Sequence, residues 1–158
     1  MHKLLLAIVA AVSLATPAAA QSRLVPADSA EVANHQVSEA EYARFAAIVR
    51  RMESVFATDR DAFRGIEQHS DVPISVADVA ARYEANPAMH AELARGGMTA
   101  REFLIVGVAL VRAVRAPQAD DGSVRLNESQ AANARLAQSR RDELRGLFGI
   151  IGTVTREH

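Results

Sequence analysis

The stretch at residues 103–111 carries no polar side chain, and it directly follows a helix-start pattern. Thr99 and Glu102 have the spacing of a capping box, in which each side chain accepts a hydrogen bond from the backbone amide of the other residue. Met98 and Phe103 occupy the positions of a hydrophobic staple. Because a helix that is apolar on every side must be surrounded by other elements, the pattern predicts that residues 99–116 form the central helix.

Two long amphipathic helices flank this stretch in the sequence. The first begins at the capping pair Ser38 and Glu41, and its apolar side chains then fall three or four positions apart, at Tyr42, Phe45, Val49, Met52 and Phe56. This spacing places one continuous apolar stripe on a helix. The second begins at Asn127, with Gln130 completing its box, and its later half has an apolar stripe at Leu144, Leu147, Phe148 and Ile151.

Shorter helices fill the region between the first long helix and the central one. Ser75 is placed to cap a helix whose buried positions are Val79, Ala80 and Tyr83. Asn86 and Pro87 begin another helix, which carries Met89 and Leu93 and ends at the glycine pair 96–97. A further short helix is expected from Thr58 or Asp61 through Phe63 and Ile66 to near His69.

No segment alternates apolar and polar residues for long enough to indicate a strand. The fold class is therefore all-α. We expect a compact orthogonal or bundle-like domain of about five to six helices around the central apolar helix. The polar stretch at 117–123 is the clearest loop pattern in the chain.

The N-terminal residues have the pattern of a secretory signal peptide at 1–20. Lys3 gives a basic start, residues 4–14 are apolar except for Ser13, and small residues precede a cleavage site after Ala20. The run is shorter than the ~20 apolar residues of a membrane span, so we expect a protein of the bacterial periplasm or a secreted protein without a stable span. Residues 21–36 are interpreted as a flexible arm, with a helical turn at Val32 and Ala33 as the alternative. Residues 37–152 form the helical domain, and 153–158 a C-terminal tail.

Composition excludes several classes of function. The chain has 18 basic and 19 acidic residues and a net charge of −1, which gives no electrostatic reason to bind nucleic acid or an anionic membrane. It contains no cysteine. Disulfides, thiolate metal sites, covalent c-type haem and cysteine nucleophiles are therefore excluded.

The histidines give little support for a cofactor. No two of them are one helical turn apart, so no pair on one helix can share a metal. His90, beside Met89, and His69 are left as weak candidates for single ligands. Compared with periplasmic b-type haem bundles, the chain has Met52 on the first helix, but only the terminal His158 follows the last one. We expect no cofactor.

The sequence shows no catalytic constellation. His69, Ser70 and Asp71 are the residue types of a hydrolytic triad, but they are adjacent in sequence. Triad side chains have to converge from separate elements. We therefore interpret these three residues as a polar loop that ends a helix, and we expect a noncatalytic protein.

A patch for a ligand or partner is predicted on the last long helix. Asn133 and Arg140 are seven positions apart on the stripe that later carries Leu144. Either this half of the helix extends beyond the bundle and is exposed to solvent, or the two residues form a polar patch at the mouth of an apolar pocket. Met89 and Tyr83 complete the candidate patch.

Two resemblances bear on function. Residues 126–130, Leu-Asn-Glu-Ser-Gln, resemble the L-T-x-x-Q signature of periplasmic stress chaperones and adaptors of the Spy and CpxP type, and residues 37–41 are a looser echo. That resemblance implies binding of unfolded clients or of a sensor kinase. Residues 86–103, with the later helix through Asn133 and Leu144, are similar to small exported bacterial helical proteins with an N-P…G-[LM]-T-x-x-E-[YF] pattern. This second similarity implies the fold and export but no particular activity.

These patterns lead to one expected function and two alternatives. We expect a noncatalytic periplasmic protein that binds a partner protein or an apolar small molecule between its helices. The first alternative is a stress adaptor or chaperone of the L-T-x-x-Q type. The second is a carrier of metal or haem.

Overall fold

A computed structural model describes residues 24–66, 73–116 and 125–155. Within these ranges the chain forms seven helices, and its one isolated bridge pairs Leu24 with Ile74. The helices are α1 Pro26–Asn34, α2 Glu39–Thr58, α3 Val76–Ala85, α4 Pro87–Gly96, α5 Ala100–Arg115, α6 Glu128–Ser139 and α7 Arg141–Val154. The all-α class predicted from the sequence is confirmed.

Side-chain caps define where most of these helices begin. Ser38, Thr99 and Asn127 form the predicted capping boxes of α2, α5 and α6. Ser75 and Asn86 cap α3 and α4 as predicted. Such caps satisfy backbone amides that have no partner inside the helix. Gly97 has φ of 65°, the left-handed conformation that ends α4.

The core is centred on α2 and α5. The predicted stripe of α2 is buried along its whole length, and its Phe45 ring lies 4.9 Å from the ring of Phe103 on α5. Helices α1, α2, α3, α4 and α6 all contact α5, whereas α4 and α7 pack on α2. The central position predicted for α5 is therefore correct.

The covering of α5 is incomplete, contrary to expectation. Ile105, Val106 and Leu110 are buried, but another side of the helix is only partly covered. That side carries Leu104, Gly107, Val108 and Val111. The open side becomes one wall of a cavity described below.

The segment after α2 forms a turn and not the predicted helix. Residues 60–65 make short-range turn bonds such as Arg64 N–H to Asp61 O at 3.0 Å, and Gly65 has φ of 87°. The Asn86 side chain donates to the carbonyls of Ala62 and Arg64, at 3.0 and 3.2 Å. These carbonyls are thereby satisfied outside a helix. Phe63 and Ile66 are nevertheless buried.

A flexible arm was expected at residues 21–36, and this expectation is wrong for Pro26–Asn34, which form α1. Val32 is buried in the core, and the Asp28 carboxylate accepts a hydrogen bond of 2.6 Å from the Val76 amide. Only Asp28 and Val32 of α1 are buried, so this helix leaves no clear apolar period in the sequence.

The last long helix is broken in two. Arg140, with φ of −115° and ψ of 20°, separates α6 from α7. The two parts have different partners, since α6 packs on α5 and α7 packs on α2. The tail was expected to begin at residue 153, but residue 153 and the buried Val154 still belong to α7.

Several predictions fall on other parts of the chain. The signal peptide, the loop at 117–123 and the residues His69, Ser70, Asp71 and His158 lie outside the described residues. In the three described ranges, no helix has both the length and the apolar character needed to cross a membrane.

Gly96 provides a test of the contact between α2 and α4. A Cβ atom at Gly96 would overlap the side chain of Ile48 and lie 3.0 Å from a guanidinium nitrogen of Arg51. We expect Gly96→Ala to lower the free energy of unfolding by about 1–3 kcal/mol, because the packed helices have to shift apart. Urea denaturation measures this change.

The matched control for this substitution is Gly146→Ala on α7. A Cβ at Gly146 meets no atom within 4 Å. Removing a glycine from a helix interior should raise stability by about 0.5–1 kcal/mol. A Gly96→Ala variant as stable as the Gly146→Ala variant would contradict the close packing of α4 on α2.

Candidate functional site

An apolar cavity of ≈ 320 Å³ lies between α2, α3, α5 and α7. On α5 its wall is the partly covered side, where the residues are spaced as one stripe of a helix. Val79 and Tyr83 of α3 form the facing wall, and Phe148 and Ile151 of α7 form a third. We call this space the apolar cavity.

The floor of the apolar cavity is shaped by a glycine. Phe45 and Phe103 both line the cavity, and Gly107 lies beside them. A Cβ atom at Gly107 would come within 3.2 Å of the Phe45 ring. The missing side chain therefore leaves room between the aromatic floor and the backbone of α5.

The lining described by the structure is uncharged and nearly without polar side chains. Tyr83 and Thr155 are the two lining residues with a hydroxyl group. The Thr155 hydroxyl donates to the Ile151 carbonyl at 2.9 Å. No group within the described ranges hydrogen-bonds the Tyr83 hydroxyl. Tyr83 is therefore the lining residue whose hydroxyl has no hydrogen-bond partner in the described ranges.

Tyr83 keeps its proton at physiological pH. Burial of the ring raises the pKa of Tyr83 from 10.0 to about 12, although the guanidinium of Arg82 acts in the opposite direction. A neutral tyrosine hydroxyl both donates and accepts a hydrogen bond. A neutral Tyr83 thus places no charge beside the apolar walls of the cavity.

The structure separates the four residues of the predicted patch. Tyr83 lines the apolar cavity, whereas Met89 is fully buried in the core. Arg140 lies at the break between α6 and α7, with its guanidinium 5.3 Å from the centre of the Tyr42 ring. Asn133 lines a different cavity. These four side chains do not form one site.

Asn133 faces inward, with 3% of its surface exposed. The interpretation that this half of the helix is exposed to solvent is therefore wrong for this residue. Its side-chain oxygen accepts a hydrogen bond from the Val37 amide at 2.8 Å. Its side-chain nitrogen donates to the His35 carbonyl, also at 2.8 Å. Asn133 thus ties α6 to the connection between α1 and α2.

His90, a weak metal candidate, is engaged at the surface. Its Nδ1 lies 2.6 Å from a carboxylate oxygen of Glu84, and its side chain is exposed. The hydrogen bond with His90 holds the pKa of Glu84 below its usual value. Among the residues that the structure describes, no three histidine or acidic side chains are grouped to hold a metal ion.

Sequence reasoning missed most of the lining of the apolar cavity. The positions Leu104, Gly107, Val108 and Val111 follow the i, i+3, i+4, i+7 spacing of one helix face, but the apolar residues around them hid that spacing. The glycine inside an apolar helix was a usable signal, because such a glycine often has a packing role.

Comparisons with protein-family models, with curated proteins and with solved structures found no match. The class of the protein is therefore defined by its own geometry. In the described ranges it is an all-α domain with an open apolar cavity between helices packed around α5.

Asn133→Ala tests the tie between α6 and the start of α2. The variant leaves the Val37 amide and the His35 carbonyl without their partner, so we expect a loss of about 1–3 kcal/mol in unfolding free energy. Chemical denaturation measures the loss. Gln138→Ala, an amide removed from an exposed position of the same helix, should stay within about 0.5 kcal/mol of the wild type. Equal stability of the two variants would contradict the tie.

Alkaline titration tests the burial of the tyrosines. The folded pKa of Tyr83 exceeds its unfolded value, so the folded state binds more protons between about 10 and about 12. Stability contributed by neutral Tyr83 is complete below this window and is lost as the pH rises through it. Over this pH window we expect the unfolding free energy of Tyr83→Phe to fall by roughly 1–2 kcal/mol less than that of the wild type. Denaturant titrations at several pH values measure the difference.

A second tyrosine, Tyr42, also contributes to the loss of stability at alkaline pH. Burial, followed by the facing Glu143 carboxylate, raises the pKa of Tyr42 as well. Part of the alkaline fall should therefore persist in the Tyr83→Phe variant. An identical pH dependence of the wild type and Tyr83→Phe would show that Tyr83 is not desolvated.

Proposed function

We propose that the protein is an exported, noncatalytic binding protein that holds an apolar small molecule in the apolar cavity. The observation that carries this proposal is an open, uncharged cavity of ≈ 320 Å³ with walls from four helices. This volume is near the lower end of the range of roughly 300–1,000 Å³ that ligand pockets occupy. The proposal thus concerns a small ligand and not a long chain.

The energetic reason is the removal of apolar surface from water. Leu104, Val108 and Val111 stay partly exposed on a helix that otherwise has a buried apolar face. A bound apolar molecule would cover this surface, and each Å² removed from water contributes about 25 cal/mol. The cavity walls come from helices already packed against one another, so little ordering should oppose binding.

The lining chemistry favours an uncharged ligand. A charged group bound against these walls would lose part of its hydration without gaining a charged partner among the described lining residues, which is costly. Tyr83 can bind one polar atom, such as a carbonyl, ether or hydroxyl oxygen. The ligand class is therefore a neutral, largely apolar molecule with no more than one strongly polar group near Tyr83.

The same lining supports binding over catalysis. Acyl transfer or hydrolysis needs a nucleophile together with a base that orients and activates it. The described lining residues include two hydroxyls but no histidine, carboxylate or amine. Export of the protein rests on the pattern of residues 1–20 and is part of the same proposal.

The chaperone alternative rests on fewer observations. The letters that resemble L-T-x-x-Q include Asn127 and Gln130, whose side chains form the capping box of α6. Capping is therefore sufficient to account for those two letters. Suppression of client aggregation at near-stoichiometric ratio would support the chaperone alternative, and binding of a defined partner protein at the cavity would replace the small molecule in the proposal.

Val108→Phe is the sharpest test of the apolar cavity, because it places a large side chain on the α5 wall. Val114→Phe is the matched control, since Val114 is exposed on the same helix and does not line the cavity. The probe is N-phenyl-1-naphthylamine, a neutral apolar fluorophore. We expect saturable binding by the wild type and by Val114→Phe, and binding at least about tenfold weaker by Val108→Phe.

Native mass spectrometry after gentle extraction tests for the natural occupant. A discrete added mass should be present on the wild type and on Val114→Phe, and absent from Val108→Phe. Equal probe binding by the two phenylalanine variants would refute the site. A wild type that carries no added mass and does not bind the probe would refute the proposed function.

A further inference from the structure

We propose that a second cavity, lined by α1, α5 and α6, binds the anionic group of a small organic molecule through Arg112 and Arg115. The volume of this cavity is ≈ 250 Å³. We call it the arginine cavity. It is distinct from the apolar cavity and shares no lining residue with it. The inference therefore does not rest on the proposed function.

Helix α5 presents different faces to the two cavities. The arginine cavity is bordered by Ala109, Arg112, Ala113 and Ala116, which have the i, i+3, i+4, i+7 spacing of one helix face. The apolar cavity is bordered by another face, through Leu104, Val108 and Val111. The alanines leave space beside the helix, and Val32 and Leu126 contribute further apolar wall.

Among the described residues, Arg112 is held in place by Ser29 and not by a carboxylate. Its guanidinium donates to the carbonyl of Ser29 at 3.1 Å and to the Ser29 hydroxyl at 3.0 Å. The side chain is partly buried, and desolvation lowers the pKa of Arg112. No acidic group in the described ranges forms an ion pair with it. A desolvated charge normally has a partner of opposite sign.

The acidic side chains of α1 are committed elsewhere. Asp28 accepts a hydrogen bond from the Val76 amide and lies 3.8 Å from Arg101. Glu31 forms an ion pair with the same arginine. Neither acidic side chain of α1 is therefore available to Arg112, whose charge has no acidic partner in the described ranges.

The arginine cavity has several donor groups that are not used within the described chain. Arg112 uses two of its five N–H groups on Ser29, and Arg115 has no partner among the described residues. The side-chain oxygen of Gln130 accepts from the Asn127 amide at 2.9 Å, and that of Asn133 accepts from Val37. The Gln130 amide nitrogen makes no hydrogen bond with the described residues, and that of Asn133 makes one, so both have N–H groups that can donate to an acceptor ligand.

This arrangement matches an anion with a short apolar body. Arginine binds the oxygens of carboxylates and phosphates through its planar, fork-like set of donors. The small volume and the alanine wall leave room for a compact organic group beside the anion. A carboxylate and a phosphate monoester have the same requirement for donors, and the experiment below distinguishes them.

The probes are hexanoate, butyl phosphate and the neutral hexanamide, titrated into the full chain by calorimetry. We expect binding of at least one anion, and affinity for hexanamide at least about tenfold lower than for the preferred anion, because charge-assisted hydrogen bonds are lost. Preference for hexanoate assigns a carboxylate, and preference for butyl phosphate assigns a phosphate. Absence of binding by both anions, or equal affinity for hexanamide, overturns the proposal.

Arg112→Gln and Arg115→Gln locate the site, and Arg141→Gln is the matched control on an exposed position of α7. Each cavity variant should weaken binding of the preferred anion about tenfold or more, and the control should not change it. Arg115 is exposed and makes no hydrogen bond or ion pair with the other described residues, so Arg115→Gln keeps the test valid if Arg112→Gln destabilises the fold. Unchanged affinity in Arg115→Gln overturns the assignment of that residue and of the site.

The two cavities can be tested independently. Val108→Phe should leave anion binding unchanged, and the preferred anion should not displace N-phenyl-1-naphthylamine from the wild type. Loss of anion binding in Val108→Phe would place the anion in the apolar cavity and overturn the inference. Loss of fluorophore binding alone would count against the proposed function and leave the arginine cavity supported.

Discussion

The packing of α2 against α5 is the interaction on which the rest of the structure depends. Phe45 and Phe103 meet there, and the fully buried Val49 and Val106 lie on the same two helices. Each of the other five helices in the described ranges contacts α2 or α5. The contact between α2 and α5 buries only part of their apolar surface. The remaining helices pack on these two because they bury the rest of it.

Incomplete cover of α5 has two different consequences. On one face its large aliphatic side chains and Gly107 border an uncharged cavity. On another face, small alanines surround Arg112, whose charge has hydrogen bonds but no acidic partner in the described chain. One helix thus separates an uncharged cavity from a cavity that contains a guanidinium group, and for this reason the ligands proposed for them differ, an apolar neutral group for the first and an anion for the second.

Buried polar side chains fix how the outer helices sit. Asn133 and Asp28 bind backbone amides in other parts of the chain, and the buried Glu92 carboxylate accepts from Arg51 of α2 at 2.7 Å. A buried polar group left without its partner costs about 1–3 kcal/mol. These bonds therefore favour the observed positions of the outer helices.

The sequence by itself determined the all-α class, the starts of α2 to α6 and most of the buried stripe of α2. These features are local, because a cap such as Ser38 or Thr99 acts on an amide three residues away and a stripe follows from helical periodicity. The inward side chain of Asn133, the break at Arg140, the packed α1 and both cavities were decided by the tertiary structure. Each of them depends on groups far apart in sequence, as when Asn133 binds Val37. No local pattern reports which face of an all-apolar helix its neighbours will leave uncovered.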